Sequence, residues 1–198
     1  VQTCALPILK LLISEENYEI EQRDMLISSE SAEDLLAYRK ADLIFSIAPI
    51  HNRSVVCTHF TTVPIALICR ADHPRLADTA TVDALYQEKF TFYQSAHPGV
   101  KEFQSRANDA FPERNIAFRT DSLSSLISMV SSSDLLGYIP VSIYEIFKES
   151  LKLKRLEPPF ALPELKIYML YGRSSLNSSV FSTFIEKMHK LCVSPPSA

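Results

Sequence analysis

Strand-like and helix-like stretches alternate along the whole chain, and this alternation limits the possible folds more than any other feature of the sequence. The apolar runs 42–48 and 63–70 predict buried strands, whereas the apolar residues of 123–130 recur at i, i+3, i+4 and i+7, the spacing of one helix face. Alternation of this kind is typical of α/β domains with a largely parallel sheet. We therefore expect an α/β fold.

The same patterns predict the other elements. The predicted strands are residues 18–26, 42–48, 55–60, 63–70, 90–93, 116–119, 135–139, 151–156 and 166–171. The predicted helices are residues 9–14, 31–38, 81–87, 100–110, 122–132, 141–148 and 179–191, the last with its apolar residues, Val180 among them, buried. Thr120 or Asp121 is the expected N-cap of the helix that follows them.

Charge and hydropathy exclude two kinds of partner for this segment. Its 198 residues, enough for one large or two small domains, carry a net charge of −3, which argues against binding a phosphate backbone directly. The longest uncharged stretch, Ser54–Cys69, contains His59 and Pro64 and is shorter than the roughly 20 apolar residues that span a bilayer. We expect no membrane contact.

The glycine count excludes several cofactor sites. The chain has 3 glycines, and Gly99, Gly137 and Gly172 lie far apart in the sequence. Phosphate-binding loops, dinucleotide fingerprints and nucleophile elbows each need closely spaced glycines. No cofactor is predicted.

Histidines and cysteines give no catalytic or metal site. The five histidines are scattered, no Ser/His/Asp or Cys/His spacing can be nominated, and no CxxC pair occurs. Cys57 and His59 share one face of a predicted strand, but two ligands without partners are too few for a metal. We predict no catalytic residue and no metal ligand, with Cys57 and Cys69 as reduced, buried thiols.

The first eight residues, Val1–Ile8, match the translation of a common sequencing adapter. We interpret residues 1–8 as a non-native lead-in, with native sequence beginning near Leu9. The alternative is a natural helix start, because Leu6-Pro7 would also suit one.

Four stretches, in order and spacing, resemble the effector-binding domain of LysR-type transcriptional regulators. They are Ser28–Phe45 with its helix and "ADLIF" strand, Pro64–Pro74 with "PIALIC" and "HP", Thr120–Pro140 with "SDLLGYIP", and Lys166–Leu191. Together they cover almost the entire chain. The family's usual glycine before the "ADLIF" strand is Arg39 here, and its double glycine in the "SDLLGYIP" stretch is reduced to Gly137.

The resemblance implies two Rossmann-like α/β subdomains with a central cleft, as in type II periplasmic binding proteins. Subdomain I would combine residues 9–68 with 156–192, subdomain II would hold 69–155, and 193–198 would be a loose tail. It also implies a cytoplasmic homodimer or tetramer that is not an enzyme and binds DNA only through an upstream winged helix-turn-helix. The alternatives are a solute-binding receptor of a transport system, which would need a signal peptide, and an enzyme on the same fold.

The expected ligand is a small anionic effector held where loops open helices. The candidate residues are Ser28, Ser29, Ala48, Gln94, Ser95, His97, Thr120, Asp121, Ser122 and Ser125. Helix N-termini favour anions, although these hydroxyls could equally be ordinary caps and Asp121 adds an opposing charge. Their convergence on one cleft is implied mainly by the family resemblance.

The resemblance also implies how two copies pair. Effector domains of the family associate side by side and antiparallel. Here the elements involved would be Leu9–Ser14 with Tyr18–Leu26 on one subunit and the helix Ser122–Ser132 on its partner.

Overall fold

The computed structural model describes residues 13, 19–23 and 29–193. In chain order the elements are α1 (Ser29–Ala37), β1 (Ile44–Ser46), β2 (Val55–Val63), β3 (Ile65–Arg70), α2 (Val82–Tyr86), β4 (Lys89–Tyr93), α3 (Pro98–Ala110), β5 (Asn115–Thr120), α4 (Leu123–Ser132), β6 (Gly137–Pro140), α5 (Val141–Phe147), β7 (Leu153–Leu156), β8 (Leu165–Gly172), a 3₁₀ helix (Arg173–Asn177) and α6 (Ser179–Val193). The mixture of strands and helices confirms the predicted α/β class.

Contacts divide the chain into two compact units. Unit 1 runs to Thr62 and resumes at Lys166, and unit 2 is Val63–Leu165. The sequence-based divisions, after residues 68 and 155, fall inside β3 and β7. These two strands are hydrogen-bonded to each other, with Cys69 opposite Lys154, so they stay in one unit.

Unit 1 contains a three-stranded sheet with β8 between β1 and β2. β1 and β8 are antiparallel, and Ile44 lies opposite Leu170. Buried Ala32 and Leu36 of α1 pack with Ile44, Val55 and Leu170 to form the core of this unit.

Unit 2 mixes strand directions. β3 pairs antiparallel with both β6 and β7, β4 pairs parallel with β5, and one parallel bridge joins Phe90 to Leu136. The expectation of a largely parallel sheet is wrong for the described strands. Sequence patterns predict which elements exist, but the direction of a strand depends on the path of the chain between elements. Here that path brings β6 and β7 alongside β3 in the antiparallel direction.

β3 lies between the two cores of unit 2. Leu67 and Cys69 pack into one core, and Ala66 and Ile68 pack into another with the apolar face of α4. Alternate residues of a strand face opposite sides of the sheet. Since a core covers each side of β3, all four side chains are fully buried. At Gly137, β6 lies so close to Thr91 of β4 that a Cβ at this position would be 2.9 Å from Thr91 Oγ1.

Two local predictions at the ends of the chain are wrong. Residues 19–23 form no strand, because only Ile20 is half-buried and no described strand pairs with them. The rest of the predicted strand 18–26, and all of helix 9–14 except the helical Ile13, lie outside the described residues. Val180, expected to be buried, is 73% exposed at the start of α6.

The chain's other end extends a predicted element. Helix α6 continues to Val193, the first residue of the expected tail, and residues 194–198 lie outside the described part. No helix among the described residues is both long and apolar enough to cross a membrane.

Candidate functional site

Two of the predicted ligand loops lie side by side at one edge of unit 2. β4 and β5 are parallel, so both end at the same edge, with Tyr93 opposite Thr120. The Gln94 N–H donates to the Thr120 carbonyl at 2.7 Å and joins the loops beyond the strands. Both strand ends lead into helices at this one edge of unit 2, β4 into α3 and β5 into α4.

The first turn of α3 is closed by His97. Its Nδ1 accepts a hydrogen bond from the Gly99 N–H at 3.1 Å, and its carbonyl accepts from Val100 and Lys101 at 3.0 and 3.2 Å. Pro98 has no N–H to offer. Each N–H of this turn consequently has a partner, and the start of α3 has no backbone donor left for a ligand.

His97 is held in its neutral form. An accepting Nδ1 carries no proton, so the ring must be the Nε2–H tautomer. Burial lowers the pKa of His97 below its ordinary value, which also favours the neutral ring. The Ser95 hydroxyl oxygen accepts from the His97 N–H at 3.1 Å and fixes the approach to the helix.

Helix α4 is capped one residue later than the sequence predicts. Ser122 is the N-cap, with extended backbone, and its Oγ accepts from the Ser125 N–H at 3.2 Å. Thr120 Oγ1 instead accepts from the Ser122 N–H at 3.0 Å. Naming Thr120 or Asp121 as the cap was wrong, because the Thr120 side chain closes the turn before the helix rather than the helix itself.

The start of α4 keeps two donors. Among the described residues, the Leu123 and Ser124 backbone N–H groups have no hydrogen-bond partner. Unpaired N–H groups at a helix N-terminus carry a partial positive charge and bind anions. Of the two helix starts at this edge, α4 is thus the one equipped to receive a negatively charged group.

Two charged side chains flank this edge. Asp121 is exposed beside the Ser122 cap, and the Arg119 guanidinium stacks on the Phe92 ring at 4.7 Å. The Asp121 carboxylate opposes an anion, so a ligand carrying its own hydrogen-bond donor would suit the site better than a bare anion.

The predicted residues of unit 1 are described separately. Ser28 lies outside the described residues, and the Ser29 side chain also does, although Ser29 begins α1. Ala48 is half-buried. The Ser46 hydroxyl donates to the Ala48 carbonyl at 2.8 Å and accepts from the Ala48 N–H at 3.2 Å. Both backbone groups of Ala48 are therefore already engaged.

The structure thus brings together one subset of the predicted set. Its members, all at the β4–β5 edge of unit 2, are Gln94, Ser95, His97, Thr120, Asp121, Ser122 and Ser125. Sequence reasoning missed Ser124, whose Oγ lies 2.9 Å from Ser122 Oγ and whose N–H is unpaired. Naming Ser122 as the N-cap from the sequence would have revealed Ser124. It is the second residue after the cap, and the first N–H groups of a helix have no partner within the helix.

Metal and thiol chemistry have little to build on in the described part. No group of three or more His, Cys, Asp or Glu side chains there could hold a metal ion. Cys57 is a half-buried free thiol and Cys69 a fully buried one. Burial raises the pKa of Cys69 to about 11, so its thiol stays protonated near neutral pH.

Comparisons with known proteins agree on one family. The family model described as the LysR substrate binding domain matches residues 19–192. The HTH-type transcriptional regulator YbdO of Escherichia coli (strain K12) is 38% identical over 183 residues, which is 92% of this chain and 61% of YbdO. YbeF, an HTH-type transcriptional regulator of the same strain, is 25% identical over 190 residues, 94% of this chain and 58% of YbeF.

The fold is also found among solved structures. The regulatory domain of Synechocystis PCC6803 CcmR, in complex with 2-PG, matches with a TM-score of 0.72 and 13% identity, covering 98% of this chain and 93% of that one. At this identity the likeness shows the fold alone. The chain spans about three fifths of the length of the curated relatives it matches.

Proposed function

The chain belongs to the LysR family of transcriptional regulators and carries its substrate-binding domain, and from this premise we propose that it senses a small anionic metabolite. The observation that carries the proposal is the pair of N–H groups of Leu123 and Ser124 at the start of α4, which have no partner among the described residues. The Thr120 and Ser122 hydroxyl groups belong to the same turn, where they accept from the Ser122 and Ser125 N–H groups.

The ligand is held chiefly by the α4 start, which supplies two backbone donors and the Ser122 hydroxyl. Gln94, Ser95, His97, Thr120, Asp121 and Ser125 complete its surroundings in unit 2. The ligand is bound without turnover, because these groups can hold an anion but include no nucleophile–base pair.

Binding acts on transcription by shifting a conformational equilibrium. A ligand favours whichever arrangement of the regulator binds it more tightly. The complete regulator is proposed to be a cytoplasmic homodimer or tetramer whose DNA contacts come from a helix-turn-helix upstream of this domain. The names of the relatives, both HTH-type transcriptional regulators, support that part of the proposal.

A thermal-shift screen of metabolic carboxylates tests the ligand class, and 2-PG belongs in the panel because a structural neighbour was solved with it. A ligand that binds only the native state stabilises it by about 2.7 kcal/mol at a hundredfold excess over Kd. We expect concentration-dependent stabilisation by a carboxylate that weakens in Ser122→Ala and in Ser95→Ala.

Thr81→Ala is the matched control for the loss of a cap. Thr81 Oγ1 accepts from the Ala84 N–H at 3.2 Å as the N-cap of α2, so this change removes a cap of the same kind away from the site. Each shift is measured from the ligand-free Tm of the same variant. Stabilisation that is indifferent to both serine substitutions would place the ligand elsewhere and refute this site.

A further inference from the structure

A basic depression, separate from the α4 site, lies entirely within unit 1. Its volume is about 540 Å³, and its lining comprises Ile50, His51, Asn52, Arg53, Val55, Val56, Cys57 and Arg173. A depression of this size is in the range of small-molecule sites. None of the lining residues is acidic, and two of them are arginines.

The loop that forms the depression is fixed from both sides. Glu33 of α1 accepts hydrogen bonds from the Asn52 amide and, at 2.7 Å, from the Ser54 hydroxyl. On the other side, the Arg173 N–H donates to the Ser54 carbonyl at 2.8 Å, and Arg173 Nε donates to the Arg53 carbonyl at 3.1 Å. The depression is therefore built by contacts between segments far apart in sequence.

Both guanidinium groups retain donors. Arg173 uses Nε in the bond to Arg53, which leaves its two terminal nitrogens, and Arg53 enters these bonds through its carbonyl alone. No carboxylate among the described residues lies within 4.0 Å of either guanidinium, whereas Arg70, Arg75 and Arg155 each have at least one such partner. Two unpaired guanidiniums at one depression raise its affinity for anions.

Three of the other lining residues are apolar, and His51, Asn52 and Cys57 complete the lining. Ile50 and Val55 are buried, with 7% and 4% of their surface exposed, and Val56 is half-buried. Glu33 is not part of the lining, and its carboxylate is engaged by the Asn52 amide and the Ser54 hydroxyl. An anionic head and an apolar body would thus each find a matching surface.

We infer that this depression is a second ligand site, independent of the α4 site, that binds a small organic acid. The carboxylate of the acid meets Arg53 and Arg173, with His51 as a further donor, while its apolar body contacts Ile50, Val55 and Val56. Arginine forks bind carboxylates through paired hydrogen bonds, which gives the site its charge selectivity.

The test titrates hexanoate into the ¹⁵N-labelled chain and follows backbone amide signals. We expect saturable shifts at residues 50–57 and 172–174. Arg53→Gln should raise Kd about tenfold, the size of one lost charge-assisted hydrogen bond, and Arg53→Gln with Arg173→Gln should raise it further. Arg53→Gln keeps every backbone bond described above, so it remains informative if the double variant does not fold.

Three controls test whether binding depends on these two arginines and on the carboxylate of the ligand. Arg106→Gln removes one exposed arginine of α3, which has no carboxylate partner among the described residues, and should leave Kd unchanged. Hexanamide should bind at least tenfold more weakly than hexanoate, and so should inorganic phosphate. Binding of hexanamide or phosphate as tight as that of hexanoate, an unchanged Kd in Arg53→Gln, or shifts confined to other residues would overturn the inference.

Discussion

At the scale of single residues, His97 couples a helix cap to protonation. Its Nδ1 accepts the Gly99 N–H, and burial lowers its pKa below the ordinary 6.5. A group with a lowered pKa in the folded state binds its proton more readily when unfolded. Its contribution to stability is therefore present above pH 6.5 and is lost as the pH falls below it.

His97→Asn separates the cap from the titration. Asparagine is a good N-cap but does not titrate, so the variant should keep the helix start at every pH. We expect the free energy of unfolding of the unmodified chain, relative to the variant, to fall between pH 8 and pH 5. Urea unfolding at several pH values measures this difference, and parallel curves for the two proteins would contradict it.

At the scale of elements, a network of charges ties four segments of unit 2 together. Arg75 donates two hydrogen bonds of 2.8 Å to Glu88, which is 2% exposed, and contacts Asp134 at 3.1 Å. Arg70 binds Asp134 and Asp72, and hydrogen bonds from Arg70 first, then Arg75, lower the pKa of Asp134. His73 is buried here, and its Nε2–H donates to the Asp134 carbonyl at 3.1 Å.

Arg75→Met should be destabilising because it removes the two hydrogen bonds that the Arg75 guanidinium donates to the buried Glu88 carboxylate. Removing one partner of a fully buried ion pair typically costs about 3 kcal/mol, and the cost here should be smaller because 53% of the Arg75 side chain is exposed. Replacing both partners of a buried pair by apolar side chains is often close to neutral. We expect Arg75→Met with Glu88→Met to be more stable than Arg75→Met alone, as measured by urea unfolding.

The exposed pair Arg155–Glu157 provides the control for this comparison. Its atoms lie 3.3 Å apart, with 42% and 64% of the side chains exposed. Arg155→Met should cost under about 1 kcal/mol, as surface ion pairs do. A double variant less stable than Arg75→Met would show that the network stabilises unit 2 in another way.

At the scale of the whole molecule, the exposed serines of α4 are the expected contact between two copies. Ser124 and Ser128 are exposed, and the hydroxyls of Ser131 and Ser132 donate back to the Ser128 carbonyl at 2.9 and 2.7 Å. A face of small, internally bonded side chains permits close approach. The other half of the expected contact, residues 9–14 and 18–26, lies largely outside the described part.

Sedimentation tests this assembly. We expect the complete regulator to be at least dimeric, through a contact of roughly 1,600 Å². Ser128→Arg should weaken this dimer at least tenfold, whereas Ser150→Arg, at an exposed turn, should not. A complete regulator that stays monomeric at micromolar concentration would refute the assignment of this surface.

The sequence by itself determined the elements, the α/β class and the family. Helix α4 and strand β3 lie close to their predicted residues because side-chain periodicity is a local property that each segment carries alone. The family motifs were equally readable, since their order and spacing are linear features. Gly137, for example, stands in its motif where β6 approaches Thr91 most closely.

Only the tertiary structure decided strand direction, capping and donor availability. The antiparallel pairing of β3 with β7 and the choice of Ser122 as cap depend on which groups meet after folding. The same is true of the basic depression, where Arg173 and Arg53 are 120 residues apart in sequence. A hydrogen bond between distant residues leaves no periodic trace in either segment, so no local pattern could have predicted which donors stay free.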